Sequence, residues 1–145
     1  MSDSFVIIVP ARSGSTRLPN KPLAMINGRS VISRVIDLAN SSNASNLYIA
    51  TDSNEIMDHC KSYDANVVMT SSDHISGMDR IAEAAKILDL PLEIPILNLQ
   101  GDEPFMPVQI INQLPMMLSK DTPVSYTHLR AHETSLHLVC RLLLE

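Results

Sequence analysis

Residues Phe5 to Val9 form an uninterrupted apolar run, FVIIV, and the chain turns abruptly polar three residues later. An alternating strand shows one face to water. A strand apolar at every position must be covered on both faces, which in a small domain means the middle of a parallel sheet flanked by helices. The loop that follows carries Arg12, Ser13, Gly14, Ser15, Thr16, Arg17 and Lys21. Small residues and fixed positive charge beyond the C-terminal end of a buried strand suit a polyanion, and ligands of open α/β sheets bind at that end.

The rest of the pattern alternates helix and strand. Ser30 is placed to cap a helix over Val31–Ala39, and Leu47–Ala50 reads as a second strand. Asn54–Tyr63 reads as a helix with Ile56, Met57 and Cys60 inward, and Val67–Met69 as a short third strand. Ser76 and Asp79 have capping-box spacing at the head of a helix ending near Leu88. Ile94–Leu99 is the fourth strand; Pro107 suits the first turn of a last helix that Pro115 ends or kinks. This order predicts a Rossmann-like α/β fold, a three-layer α/β/α arrangement around a mostly parallel, doubly wound sheet.

The 145 residues suffice for one core, which aliphatic side chains must fill because aromatics make up only 3%. A net charge of −5 argues against broad nucleic-acid binding, so the N-terminal cations are expected to form a local pocket. No run reaches the length of a membrane span and no basic segment precedes the first apolar run, so a cytoplasmic location is expected. Cys60 and Cys140 provide neither a disulfide framework nor metal-ligand spacing.

From Val124 the text changes character: VSYTHLRAHETSLHLVCRLLLE holds His128, His132 and His137, three of the five histidines. VSYTHLRAHET resembles the translation of a transposase adapter used in sequencing libraries. The expected organisation is therefore residues 1–123 as the native part of a domain, holding the basic loop, and 124–145 as a non-native tail. The alternative is an amphipathic helix with Leu136, Val139, Cys140 and Leu143 on one face.

Three loops follow strand ends. In the first, Ser13 to Thr16 allow backbone N–H groups to approach phosphate, and Arg12, Arg17 and Lys21 stay charged at neutral pH. The loop lacks both the Walker and the dinucleotide glycine patterns, so by spacing alone it is either a phosphate cradle or an ordinary basic loop. The second, SSDHISGMDR, offers His74, Ser76 and Arg80 to a ligand's polar edge; alternatively Ser76 and Asp79 only cap the helix and His74 is solvated. The third, QGDEP, carries Asp102 and Glu103, which either hold Mg²⁺ beside substrate phosphates or merely line a turn. Asp52 is expected to cap the following helix, Cys60 to pack in the core, and His59 to lie on the surface.

In combination, PARSGSTRLPNKPL, ATDSNEI, TSSDHISGMDRIAE and NLQGDEP resemble the 3-deoxy-manno-octulosonate (KDO) cytidylyltransferases over residues 5 to 123. The resemblance implies the nucleotidyltransferase type of the fold, truncated, and transfer of CMP from CTP to KDO for lipopolysaccharide synthesis. It further implies a triphosphate held by Ala11, Arg12, Ser13, Gly14, Ser15, Thr16, Arg17 and Lys21, with Ser76, Gly77, Arg80 and Gln100 around cytosine and ribose. Arg12, Lys21 and Asp102 would act in catalysis, with Asp102 a ligand of the Mg²⁺ cofactor. The family also implies a homodimer whose surface, sugar contacts and second metal carboxylate come from a second half, so the fragment is expected to be inactive. Asn20 and Met78 stand where the family has Gly and Thr or Ser. A sialic- or pseudaminic-acid cytidylyltransferase, or a non-catalytic flavodoxin-like binding domain, are the competing readings.

Overall fold

The computed structural model describes residues 5–12, 21–74, 77–91, 94–99 and 107–113. Among the described residues, four parallel strands form a sheet: β1 (Val6–Ala11), β4 (Asn46–Thr51), β5 (Asn66–Met69) and β6 (Ile96–Asn98), in the order β5-β4-β1-β6. A separate two-stranded antiparallel ribbon joins β2 (Met25–Ile26) to β3 (Arg29–Ser30). The helices are α1 (Val31–Asn40), α2 (Asn54–Lys61) and α3 (Gly77–Ile87), with a further helical stretch at 108–113.

Burial explains why β1 is apolar throughout. Phe5, Ile7, Val9 and Ala11 face one core with Ile32, Val35 and Ile36 of α1, Ile56 and Cys60 of α2, and Ile111. Val6 and Ile8 face the other core with Ile81, Ala84 and Ala85 of α3. Both faces of the sheet are covered, giving the expected three layers. α1 and α2 lie on one face and α3 on the other, as right-handed crossovers demand when the chain first winds outward to β5 and then returns past β1 to β6.

Local chemistry sets the helix limits. Ser30 caps α1, its Oγ accepting from Ser33 N–H at 3.2 Å. At α2 the cap is Ser53, whose Oγ accepts from Ile56 N–H at 3.2 Å, so the expectation that Asp52 caps this helix is corrected. Both α2 and α3 close with an aspartate in left-handed conformation, Asp64 (φ 61) and Asp89 (φ 55). Behind each, a backbone N–H reaches back to the helix: Ala65 to Cys60 O at 3.3 Å and Leu90 to Ala85 O at 3.1 Å. Asp tolerates this backbone better than most residues, though glycine is the usual choice. The closure ends α2 at Lys61, two residues before the predicted limit at Tyr63.

The β2–β3 ribbon was not among the sequence expectations. Its turn is Asn27-Gly28, both with positive φ (50 and 84), a combination that suits a tight two-residue hairpin. Strands of two residues show no periodicity, but the Asn-Gly pair is itself a hairpin signal. Arg34 of α1 fastens the ribbon, its Nη2 donating to Ile26 O at 2.5 Å and to Asn27 O at 3.4 Å.

Cys60 is fully buried, and burial pushes its thiol up to about 12 from the ordinary 9.0. The folded protein therefore keeps the proton that the unfolded chain loses, and the thiol's contribution to stability is present below pH 9 and lost as pH rises above it. In a Cys140→Ser background, labelling by a disulfide reagent at pH 8 is expected to proceed only at the rate of unfolding. Rapid labelling under native conditions would show that Cys60 is accessible.

Candidate functional site

The strand order reverses between β1 and β6: from β1 the chain goes one way, to β4 and β5, then comes back to the opposite side. Loops from adjacent strands that diverge in this way open a crevice at the C-terminal edge of the sheet, where ligands of α/β proteins lodge. Pro10 helps to open it. Val6 N–H donates to Pro95 O across the β6 side, and Ile8 O accepts from Leu99 N–H on that side. By the same alternation the position of Pro10 faces β6, but proline has no N–H to give. The β1–β6 register accordingly runs only from Val6 to Ile8, whereas pairing with β4 continues to Ala11.

Ala11 is buried and Arg12 exposed at the crevice rim. Lys21 is exposed at the start of a 3₁₀ turn, Lys21–Leu23, whose Lys21 O accepts from Ala24 N–H at 3.0 Å. Gly77 opens α3. Ser13, Gly14, Ser15, Thr16, Arg17, Ser76, Gln100 and Asp102 lie outside the described residues. The structure thus establishes which strand ends neighbour one another.

Arg80 is enclosed rather than presented to solvent, with 2% of its surface exposed. Its Nη1 donates to Thr70 Oγ1 at 2.6 Å and to Ser71 O at 3.0 Å, and Nη2 lies 3.8 Å from Asp52 Oδ2. One guanidinium therefore ties α3 to the ends of β4 and β5. Asp52, read from sequence as a cap, belongs to this ion pair. His74 is held as well: its Nε2 lies 2.5 Å from Glu83 Oε1, which also accepts from Ser71 N–H at 2.9 Å. The Ser71 bond and then the His74 bond hold the Glu83 carboxyl below its usual range. Sequence reasoning missed Glu83; its position one turn beyond Arg80 on α3 was the available signal. Met78 packs against the α3-side core.

Asn98, the last residue of β6, is fully buried with neither Oδ1 nor Nδ2 partnered. A buried, unpaired amide is costly and calls for an explanation, and this one ends the strand that borders the crevice. His59 is not the surface residue expected. It is half-buried, its Nε2 lies 2.6 Å from Ser30 Oγ, and its ring meets Tyr63 edge-on at 5.3 Å.

The profile of the family described as "Cytidylyltransferase" matches residues 6–139. The chain belongs to this cytidylyltransferase family. Among curated proteins it is similar to the 3-deoxy-manno-octulosonate cytidylyltransferase of Marinobacter nauticus, 48% identical over 111 residues, covering 77% of this chain and 42% of that protein. It is also similar to that of Polynucleobacter asymbioticus, 46% identical, covering 80% of this chain and 46% of that protein. The cytidylyltransferase chain thus spans less than half the length of these relatives. A solved CMP:2-keto-3-deoxy-manno-octonic acid synthetase, complexed with CTP, superposes with a TM-score of 0.76 at 32% identity, over 84% of this chain and 49% of that one. A 4-diphosphocytidyl-2C-methyl-D-erythritol synthase shares the fold at a TM-score of 0.64 and 10% identity, over 83% of this chain and 56% of that one.

Proposed function

We propose that the chain is the nucleotide-binding part of a 3-deoxy-manno-octulosonate cytidylyltransferase, which joins CMP from CTP to KDO and releases pyrophosphate. The observation that carries this reading is the strand reversal at β1/β6 in a member of this family: Arg12 after β1 and Leu99 after β6 border one crevice, and the sequence continues from them into the basic loop and into QGDEP. In the reaction the sugar hydroxyl attacks the α-phosphorus in line, and the bond to the β-phosphate oxygen breaks. Negative charge grows on the non-bridging oxygens and on the departing pyrophosphate. Arg12, Arg17 and Lys21 supply fixed positive charge against it, and no covalent intermediate on the protein is needed.

Magnesium belongs to the same proposal, with Asp102 as its protein ligand. Mg²⁺ takes one or two carboxylates and completes its shell with phosphate oxygens and water, so a three-residue cluster is not required. None occurs among the described residues, and Asp102 lies outside them. When bound, the ion would neutralise triphosphate charge. A homodimer, a cytoplasmic location and a non-native segment at 124–145 complete the reading. No helix among the described residues is long and apolar enough to cross a membrane. Sequencing the gene downstream of Pro123 tests the tail directly.

Binding, not turnover, is the direct test of the site in this chain. Calorimetric titration with CTP and Mg²⁺ is expected to give saturable binding that ATP does not match. Arg12→Ala and Lys21→Ala should each weaken it by about tenfold, the scale of one charge-assisted contact. Equal affinity for ATP, or indifference to both substitutions, would refute the assignment.

A further inference from the structure

Ser71 is exposed, yet both its backbone polar groups are taken by side chains of α3. Its N–H donates to Glu83 Oε1 at 2.9 Å, and its C=O accepts from Arg80 Nη1 at 3.0 Å. Thr70 on one side and His74 on the other are bonded to the same two side chains, at 2.6 and 2.5 Å. Thr70 N–H is in turn fixed to Thr51 O at 2.9 Å, at the end of β4.

Water would satisfy an exposed loop of this kind without protein partners. Holding long side chains such as Arg80 and Glu83 in one rotamer costs conformational entropy. Bonds that satisfaction does not require, concentrated on one loop, act instead to restrict where that loop can go. The restricted segment, residues 70–74, ends three positions before Gly77, where α3 begins at the C-terminal edge of the sheet.

We propose that Glu83 and His74 are positioning residues: with Arg80 they clasp the β5–α3 loop along α3 and so preset the nucleotide-facing end of that helix before CTP arrives. The inference rests on the nucleotide reading above. A loop already in its bound conformation spares the ligand the cost of ordering it, so the clasp acts on affinity. Glu83 is the sharper probe, because a single carboxylate oxygen serves both Ser71 and His74. It is partly exposed, its side chain showing 34% of its surface, so its loss should disturb the core little.

The test compares the unaltered chain with Glu83→Ala and Glu83→Gln by CTP titration, thermal unfolding and amide exchange. Glu83→Ala is expected to weaken CTP binding roughly tenfold, to speed exchange at Ser71 N–H, and to leave the melting temperature nearly unchanged. Glu83→Gln keeps an acceptor oxygen for Ser71 and should recover most of the affinity. Unchanged affinity or unchanged Ser71 exchange in Glu83→Ala overturns the positioning role while CTP binding by the unaltered chain still stands. So does a loss of melting temperature without a loss of affinity. Failure of the unaltered chain to bind CTP overturns the nucleotide reading, and this inference with it.

Discussion

Arg80→Met is expected to lower the unfolding free energy by about 3 kcal/mol, seen as a lower urea midpoint with an unchanged slope. Methionine keeps much of the length and apolar bulk but none of the donors. Thr70 Oγ1 and Ser71 O lose their bonds, and the carboxylate of Asp52, whose side chain is 13% exposed, loses its counter-charge. Two lost hydrogen bonds and a weakened ion pair make up the cost, because the groups involved have already left much of their hydration behind. Asp52→Asn in the Arg80→Met background should therefore recover about 1 kcal/mol. If the single substitution costs less than about 1 kcal/mol, the guanidinium does not join the strand ends as the distances indicate.

Ile7→Ala should cost about as much by a different route. Ile7 is fully buried on β1, between Leu47 of β4 and Leu97 of β6 in register, and faces α1 and α2. Its truncation removes apolar contact and leaves a cavity that neighbours on both sides of a central strand cannot close, for a loss of about 3 kcal/mol. Ser53→Ala, which removes only the α2 cap, makes a useful contrast, since caps are typically worth about 1 kcal/mol. Equal losses from the two substitutions, measured by urea denaturation, would contradict the central placement of β1.

Legibility followed the range of the interaction. The α1 start at Ser30 and the buried character of β1 and Cys60 depend on near neighbours or on hydrophobicity, and both are visible in a window of a few residues. β6 was expected over Ile94–Leu99 but spans Ile96–Asn98, because Pro95 and Leu99 contribute one flanking bond each without extending the paired register. His59 looked like a surface residue because its partner, Ser30, lies 29 positions away. Asp52 looked like a cap because Asp commonly is one. The adjacent Ser53 took that role and left the carboxylate for Arg80.

The sequence by itself determined the alternation of strands and helices, the double-sided burial of the first strand and the residue types assembled around a polyanion. Those properties are periodic or compositional, and neither depends on which strand lies beside which. Only the tertiary structure decided that β6 returns to the far side of β1, and therefore which strand ends border one crevice. Strand order is set by competition among long-range pairings of similar apolar segments, and no local pattern records its outcome. The same holds for the clasp on Ser71: Arg80 and Glu83 acquire their roles when α3 folds back along the loop that precedes it.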